Sequence, residues 1–336
     1  MNIFQQLGLP EFHRKLSNKV TQLVKHYDEV VAKHKEGKIF LTQLKRDGVC
    51  SLTVVCSGDV KIFSRTGNAF TNTSELVAKI KLLNLPDGVY MGEMWVPKSV
   101  CSLEQLSGVV NPNRTKALSH EYSMLPHMLR MSWFDMISLK EFKEGYSPQK
   151  FANRHISLTL NFTEALAEIN LLVHPDIDVL KCVTAKTEAD IDDQLEFLVS
   201  GGEEGLIIAD PEADWEAGHK GWRKMKKVRG VDYDLLCIGY GEGTGKYKGK
   251  VANLVFQWKG EVTIKCMLGK GWTHKMAEDM FEVINYADNV GMEAYTHVDS
   301  PIGKIFQVYA LEESSKGKLR LPKVGEQRFD KGESDV

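Results

Sequence analysis

The chain has 336 residues, 43% of them hydrophobic and 26% charged, with a formal net charge of −2; such values exclude a disordered chain, a collagen-like repeat and a coiled coil, and the length suggests about two domains. No run of about 20 apolar residues occurs, so no membrane helix is expected, and residues 1–6 carry neither a basic start nor an apolar stretch, so no signal peptide is expected. Six scattered cysteines (50, 56, 101, 182, 237 and 266) form no C-x-x-C pair, which argues against a zinc knuckle or disulfide framework and for free thiols in a reducing cytoplasm.

In chain order, residues 16–35 read as a helix, because Leu16, Val20, Leu23, Val24, Val30 and Val31 recur at roughly helical spacing and Gly37 follows. Residues 39–44, 51–56 and 59–63 are short and rich in β-formers, the last two separated by a Ser57-Gly58-Asp59 turn. A strand is expected over 89–96, a loop-rich stretch over 100–130 and another strand over 133–139. Helices follow over 162–172 and 191–199, then a short apolar strand over 205–209. The texture changes after Lys227, and a domain boundary is placed near Val228, giving units 1–228 and 229–336. Strands over 233–240, 251–258, 262–267 and 305–311, divided by glycine-rich turns, suit a small Greek-key barrel of the OB type. Gly239, Gly241, Gly243 and Gly245 read as a hairpin turn rather than a phosphate loop, since G-x-x-x-x-G-K-[ST] is not matched and no helix pattern follows. The tail from Gly325 is polar and expected to be mobile.

The net charge hides a division. Residues 187–216 hold 11 acidic side chains and no Lys or Arg, whereas residues 219–250 hold nine basic ones against three acidic. Solvated surfaces are the ordinary explanation of such runs; the sharper one is a basic face for a polyanion, Lys246, Lys248 and Lys250 included, acting through salt-sensitive phosphate contacts.

The chemistry-bearing motifs begin with Lys45-Arg46-Asp47-Gly48 directly after an expected strand. Alone it is weak, because Asp-Gly is a common turn dipeptide. As a nucleophile, Lys45 must first lose a proton that a free lysine keeps at neutral pH, which calls for burial or neighbouring positive charge, a metal ion included. Downstream stand Ser64-Arg65-Thr66-Gly67, Gly92-Glu93, Phe134-Asp135, Glu204-Gly205-Leu206-Ile207, Trp222-Arg223-Lys224-Met225-Lys226 and Arg328-Phe329-Asp330-Lys331. Lys224 and Lys226 project from the same side of a strand.

This ordered set, K-x-D-G, S-R-x-G, G-E, F-D, E-G-L-I, W-x-K-x-K and R-x-D-K, resembles the covalent nucleotidyltransferases, specifically the ATP-dependent DNA ligases, over roughly residues 39–331. The size and the expected barrel are similar to the short ligases of bacteriophages. The resemblance implies an α+β fold: an antiparallel-sheet nucleotidyltransferase domain with outer helices and ATP in its groove, then an OB barrel. It implies that Lys45 attacks the α-phosphate of ATP and holds AMP, that Gln43 meets the adenine edge in place of the more usual acid, and that Arg65 binds the nucleotide or a 5′-phosphate. Glu93 would contact ribose or metal, Phe134 would stack on adenine, and Glu204 would help bind a divalent metal, Mg²⁺. Lys224 and Lys226 would hold the α-phosphate, and Arg328, Asp330 and Lys331 would orient the pyrophosphate. The implied partner is nicked duplex DNA, bound by a monomer. One departure stands out: Cys50 occupies the place of a usual Arg, leaving Arg46 or another cation to supply that contact, or a lower nucleotide affinity. Rival readings are an mRNA-capping guanylyltransferase, which uses the same lysine with GTP, and a non-catalytic nick-binding protein; RNA ligation and NAD-dependent ligation fit the motifs less well.

Overall fold

Two units divide the chain, Met1–Val228 and Arg229–Val336. The structure, a computed structural model, describes residues 1–14, 20–228, 230–269, 271–289, 299–310, 313, 317–329 and 333–336.

The first unit runs α1 (Ile3–Gln6), β1 (Leu23–His26), β2 (Phe40–Lys45), β3 (Val49–Cys56), β4 (Asp59–Ser64), α2 (Ser74–Leu82), β5 (Gly88–Trp95), α3 (Leu103–Val110), β6 (Arg130–Ile137), α4 (Leu139–Glu144), β7 (Tyr146–Ser147), α5 (Phe151–Glu168), β8 (Ile177–Val179), β9 (Val183–Ala185), α6 (Glu188–Ser200), β10 (Gly205–Ala209), β11 (Trp215–Glu216) and β12 (Lys220–Val228). Two five-stranded, mostly antiparallel sheets result, β1-β12-β10-β2-β9 and β4-β3-β5-β6-β8. The chain passes from the first to the second through residues 46–48, immediately after Lys45.

Register decides which side chains share a face, since directly paired residues point the same way. In the first sheet Gln43 pairs with Ile207 and Ile207 with Lys226, while Lys45 pairs with Gly205 and Ala209 with Lys224. These residues form one face. The intervening Leu206, Ile208 and Met225 turn to the other, where they pack with Phe40, Ala185 and the α6 residues Ile191 and Leu195. The second sheet is buried on both sides. Tyr90, Met94, Met131 and Trp133 face Ile80, Leu106, Leu158 and Phe162, whereas Leu52, Val54, Val89 and Met91 face Ile3, Phe4, Phe142 and Trp215.

The second unit runs β13 (Val231–Glu242), β14 (Val251–Trp258), β15 (Val262–Leu268), α7 (His274–Asn289), β16 (Ile305–Ala310) and β17 (Lys323–Gln327). Its strands close into a barrel in the order β13-β14-β15-β17-β16, with Leu254, Phe256 and Trp258 alternating inward to meet Leu235, Ile264, Phe306 and Val324. This closed barrel agrees with the expected OB type.

Several element expectations are corrected. Residues 20–35 are not helical: they hold β1 and two single 3₁₀ turns, and β1 pairs in parallel with β12. β-branched Val20, Val24, Val30 and Val31 favour that outcome once a sheet edge is within reach. Residues 16–19 of that expectation lie outside the described residues. The stretch read as loop-rich contains α3, opened by a capping box between Ser102 and Gln105. Gly239 and Gly241 lie inside β13, so only Gly243 and Gly245 belong to the connection to β14. Gly325 belongs to β17, which pairs with β15 and β16, and Ser334 and Asp335 hydrogen-bond to the Asp234 backbone, so the expectation of a mobile tail from Gly325 is corrected.

Candidate active site

A cleft of about 240 Å³ in the first unit is lined by residues of both sheets: Gln43, Lys45, Arg46, Ile207, Lys224 and Lys226 from one side, Cys50, Arg65, Glu93 and Phe134 from the other. A larger hollow of about 700 Å³ in the barrel unit has, among the described residues, acidic and apolar walls and no Lys or Arg, whereas the smaller cleft is lined by Lys45, Arg46, Arg65, Lys224 and Lys226.

Lys45 ends β2 where the chain crosses between the sheets, and its ammonium donates to Glu204 Oε2 at 2.5 Å. Gly48 makes the approach of β5 possible. A Cβ there would stand 2.6 Å from the Met94 carbonyl oxygen and 2.8 Å from Cγ of Glu93, distances no real side chain sustains. Glu93 pairs with Cys50 across β3 and β5. Burial pushes the Glu93 carboxyl up to about 8, against the pull of Lys45 and with Glu204 adding to the rise. Burial likewise pushes the Cys50 thiol up to about 12, with Glu93 contributing, so Cys50 is an un-ionised wall at neutral pH.

Phe134 reaches the cleft through a β-bulge. Met91 pairs with Asp135 and Gly92 with Trp133, so Phe134 is the extra residue on β6, a device that re-aims a side chain. The bulge is anchored by Asp135, whose carboxylate takes two hydrogen bonds of 2.9 Å from Arg154 of α5. Both partners are 2% exposed. Arg154 also donates to the carbonyls of Gln149 and Ala213. The sequence reading missed Arg154; the signal was an arginine in line with Phe151, Leu158 and Phe162 on the apolar stripe of α5.

Gln43 is buried, donates Nε2 to the carbonyls of Phe134 (3.4 Å) and Leu180 (3.3 Å), and has an unpartnered Oε1. That leaves a buried acceptor beside the aromatic ring, suited to an exocyclic amine. Lys224 is 7% exposed, is pushed down to about 8 by burial, with Asp135 acting in the opposite sense, and lies over the Phe134 ring at 3.6 Å from its centroid. Lys226 is lowered by burial and then by Lys45. Arg46, although it lines the cleft, is stacked on Trp95 (4.2 Å) and paired with Glu203 (3.1 Å). Arg65 is exposed, and among the described residues it has no ion pair. Of the two, Arg65 is the cation open to a ligand beside Cys50.

The site thus unites Gln43, Lys45, Arg65, Glu93, Phe134, Glu204, Lys224 and Lys226. It does not gather the remaining candidates. Arg328 belongs to the barrel unit, where its guanidinium grips Asp234 at 2.9 and 3.1 Å; Asp330 and Lys331 lie outside the described residues. Lys246 and Lys248 are exposed on the β13–β14 connection, with Lys246 over Tyr247, whereas Lys250 is paired with Glu278 at 3.1 Å. The acidic run is no separate face either: Asp192 holds Lys227, Glu203 holds Arg46, Glu204 holds Lys45, Asp210 holds Lys38, and Asp214 and Glu216 hold Arg223.

Comparison with known proteins follows the same division. Residues 19–226 match the ATP-dependent DNA ligase domain and residues 242–328 the DNA ligase OB-like domain. The chain is 23% identical over 353 aligned positions to a DNA ligase of Cenarchaeum symbiosum, covering 92% of this chain and 56% of that protein. It is 22% identical over 275 positions to a DNA ligase of Nitrosopumilus maritimus, covering 76% and 44%. The chain therefore spans about half the length of these curated relatives. Among solved structures, a member of the Lig E DNA ligases superposes with a TM-score of 0.64 at 19% identity, over 92% of this chain and 98% of that one. Since the first of these domains alone accounts for more than half of the chain and the second follows it in order, the protein belongs to the ATP-dependent DNA ligase family.

Proposed function

We propose that the protein takes AMP from ATP onto Lys45 and uses it to seal nicks between a 5′-phosphate and a 3′-hydroxyl in duplex DNA, acting as a monomer in the cytoplasm. The observation that carries this reading is one nucleophile-bearing cleft with a carboxylate in contact with the lysine, two further lysines and an aromatic face.

In the first step the Lys45 amine gives up a proton and attacks the α-phosphorus; a P–N bond forms, the bond to the β-phosphate oxygen breaks, and pyrophosphate leaves. Glu204, in contact with the ammonium, is the base positioned to take that proton. Lys224 and Lys226 balance the charge that builds on the α-phosphate, Phe134 and Ile207 enclose the base, and Gln43 Oε1 accepts from its amine. In the second step a 5′-phosphate oxygen attacks the same phosphorus and releases the Lys45 amine, with Arg65 holding that phosphate. In the third, the 3′-hydroxyl attacks the activated 5′-phosphorus and AMP departs. Arg328, Asp330 and Lys331 of the barrel unit serve the pyrophosphate in the first step only. We assign residues 1–228 to nucleotidyl transfer and 229–336 to DNA and pyrophosphate.

Glu93 and Glu204 would hold a divalent ion. Burial raises the Glu93 carboxyl to about 8, with Glu204 adding to the rise, so the two carboxyls are near enough to repel each other, and among the described residues they belong to no group of three or more His, Cys, Asp or Glu; a two-carboxylate site of this kind suits Mg²⁺, an ion that keeps several waters and shares phosphate oxygens. When bound, it would lower the charge repulsion between nucleophile and triphosphate.

Incubation of the protein with α-labelled ATP, α-labelled GTP or adenylate-labelled NAD tests the reading. ATP alone should leave an acid-labile adduct, and adding nicked duplex should discharge it with joining of the strands. An adduct from GTP and none from ATP would install the capping reading; no adduct at all would leave a nick binder.

A further inference from the structure

We propose that Lys224 makes base binding conditional on phosphate, by standing on the Phe134 ring where a base must stack. The inference rests on Phe134 being the base platform. Phe134 packs against the apolar cluster that contains Leu52 and Met91, so its cleft side is the side open to a base. That side carries the Lys224 ammonium, 3.6 Å from the ring centroid. Among the described residues no hydrogen bond or ion pair holds the ammonium of this buried residue; the ring is its partner, through the attraction of a cation for an aromatic face. Burial lowers Lys224 only to about 8, so it remains mostly charged at neutral pH.

A base entering the cleft meets this cation first. The ammonium stands 3.6 Å from the ring centroid, where a stacked base would lie, so the side chain has to leave for a base to stack there. A bare nucleoside offers the displaced ammonium no counter-charge, and leaving it buried without a partner is unfavourable. A nucleotide brings phosphate oxygens into the same cleft and gives the ammonium a charge-assisted partner. Phe134 and Lys224 together therefore select phosphorylated ligands over nucleosides that carry the identical base.

The test is calorimetric binding of adenosine and ATP to the full-length protein and to two variants, Lys224→Ala and Lys226→Ala. Lys226 lies on the same sheet face but not on the ring, so it reports removal of one cleft charge alone. Lys224→Ala should bind adenosine about tenfold tighter than wild type, equivalent to 1.4 kcal/mol, while binding ATP more weakly. Lys226→Ala should weaken ATP and leave adenosine unchanged. Should Lys224→Ala fail to fold on a thermal melt, Lys224→Ser takes its place with the same expectation. Adenosine bound by the Lys224 variant no more tightly than by wild type, or tightened equally by Lys226→Ala, would overturn the inference while wild-type adduct formation from ATP still stood. Loss of that wild-type adduct would instead remove the platform reading and this inference with it.

Discussion

As the proposed nucleophile, Lys45 depends on what is placed around it rather than on its own chemistry. Its neighbour Glu204 accepts from the ammonium at 2.5 Å, and Glu93, Lys224 and Lys226 surround the same cleft. Replacing it, Lys45→Ala, should abolish the adduct from labelled ATP while leaving the thermal midpoint within a few degrees, because a partly exposed lysine contributes little to the core. An adduct at wild-type level would move the nucleophile elsewhere. Glu93 supplies a second prediction, with a sign that follows from its environment. Its carboxyl is raised to about 8 by burial, so the folded state holds a proton that the unfolded chain releases near 4.5. Stability from this group is therefore fully present below about 4.5 and is lost as pH rises toward 8. Glu93→Gln removes that loss. In the presence of a chelator the variant should melt at a higher temperature than wild type at pH 8.5, the advantage shrinking to nothing near pH 4.5, even though its adenylation is impaired. A constant difference across that range would show that the carboxyl is not raised.

At the scale of elements, the β6 bulge and the α5 arginine that anchors it give the site its aromatic wall. Arg154→Ala leaves Asp135 charged and buried without its partner, a change that typically destabilises by about 3–5 kcal/mol. Urea unfolding should read that loss. Asp135→Asn combined with Arg154→Met should lose less than the single Arg154 change, because neither residue then carries an uncompensated charge. Equal losses in the single and double variants would mean that the pair matters only through packing. Gly48→Ala forces the Glu93 strand away from the Lys45 turn, and should reduce adduct formation more than tenfold at a stability loss of about 1–3 kcal/mol. The sequence made these elements legible to different degrees. The strands around the motifs were readable because alternating apolar residues and turn dipeptides are local signals, and β14 spans residues 251–258 as expected. The stretch at residues 20–35 was not, because its valines satisfy helical spacing and strand pairing alike, and β12, nearly 200 residues away, decides between them. Helix α7 escaped notice within a segment read only for barrel strands. The cleft residues were legible as an ordered set of motifs, but Arg154 and the bulge were not, since both depend on contacts between β6 and α5. The orphaned Gln43 oxygen is likewise visible only when two distant carbonyls occupy its amide nitrogen.

Across the whole molecule, a net charge of −2 has to be reconciled with the proposed binding of a polyanion, and the ion pairs bear on how the two could fit together. Much of the acidic run is spent within the first unit on Lys38, Lys45, Arg46, Arg223 and Lys227, so sequence-local counts overstate both the acidic and the basic surfaces. What remains open to the proposed DNA partner is a smaller set. In the barrel unit that set includes Lys246 and Lys248, both exposed, while Lys250 is held by Glu278. If about five side chains of the protein neutralise phosphates, log affinity for a nicked duplex should fall with log salt at a slope near −4 to −5. Lys246→Ala with Lys248→Ala should flatten that slope by about 2 and weaken binding uniformly across nick sequences, since phosphate contacts carry no base information. Lys250→Ala added to them should change the slope by clearly less than one further unit, because its charge is already offset by a carboxylate in the protein. Adduct formation from ATP should persist in both variants, as none of these lysines lines the cleft. Fluorescence anisotropy of a labelled nick between 50 and 200 mM salt measures the slopes. A slope unchanged in the double variant would make the β13–β14 connection a solvated turn and place the DNA-neutralising charges outside it; a full unit lost with Lys250 would mean that DNA displaces Glu278 from its lysine.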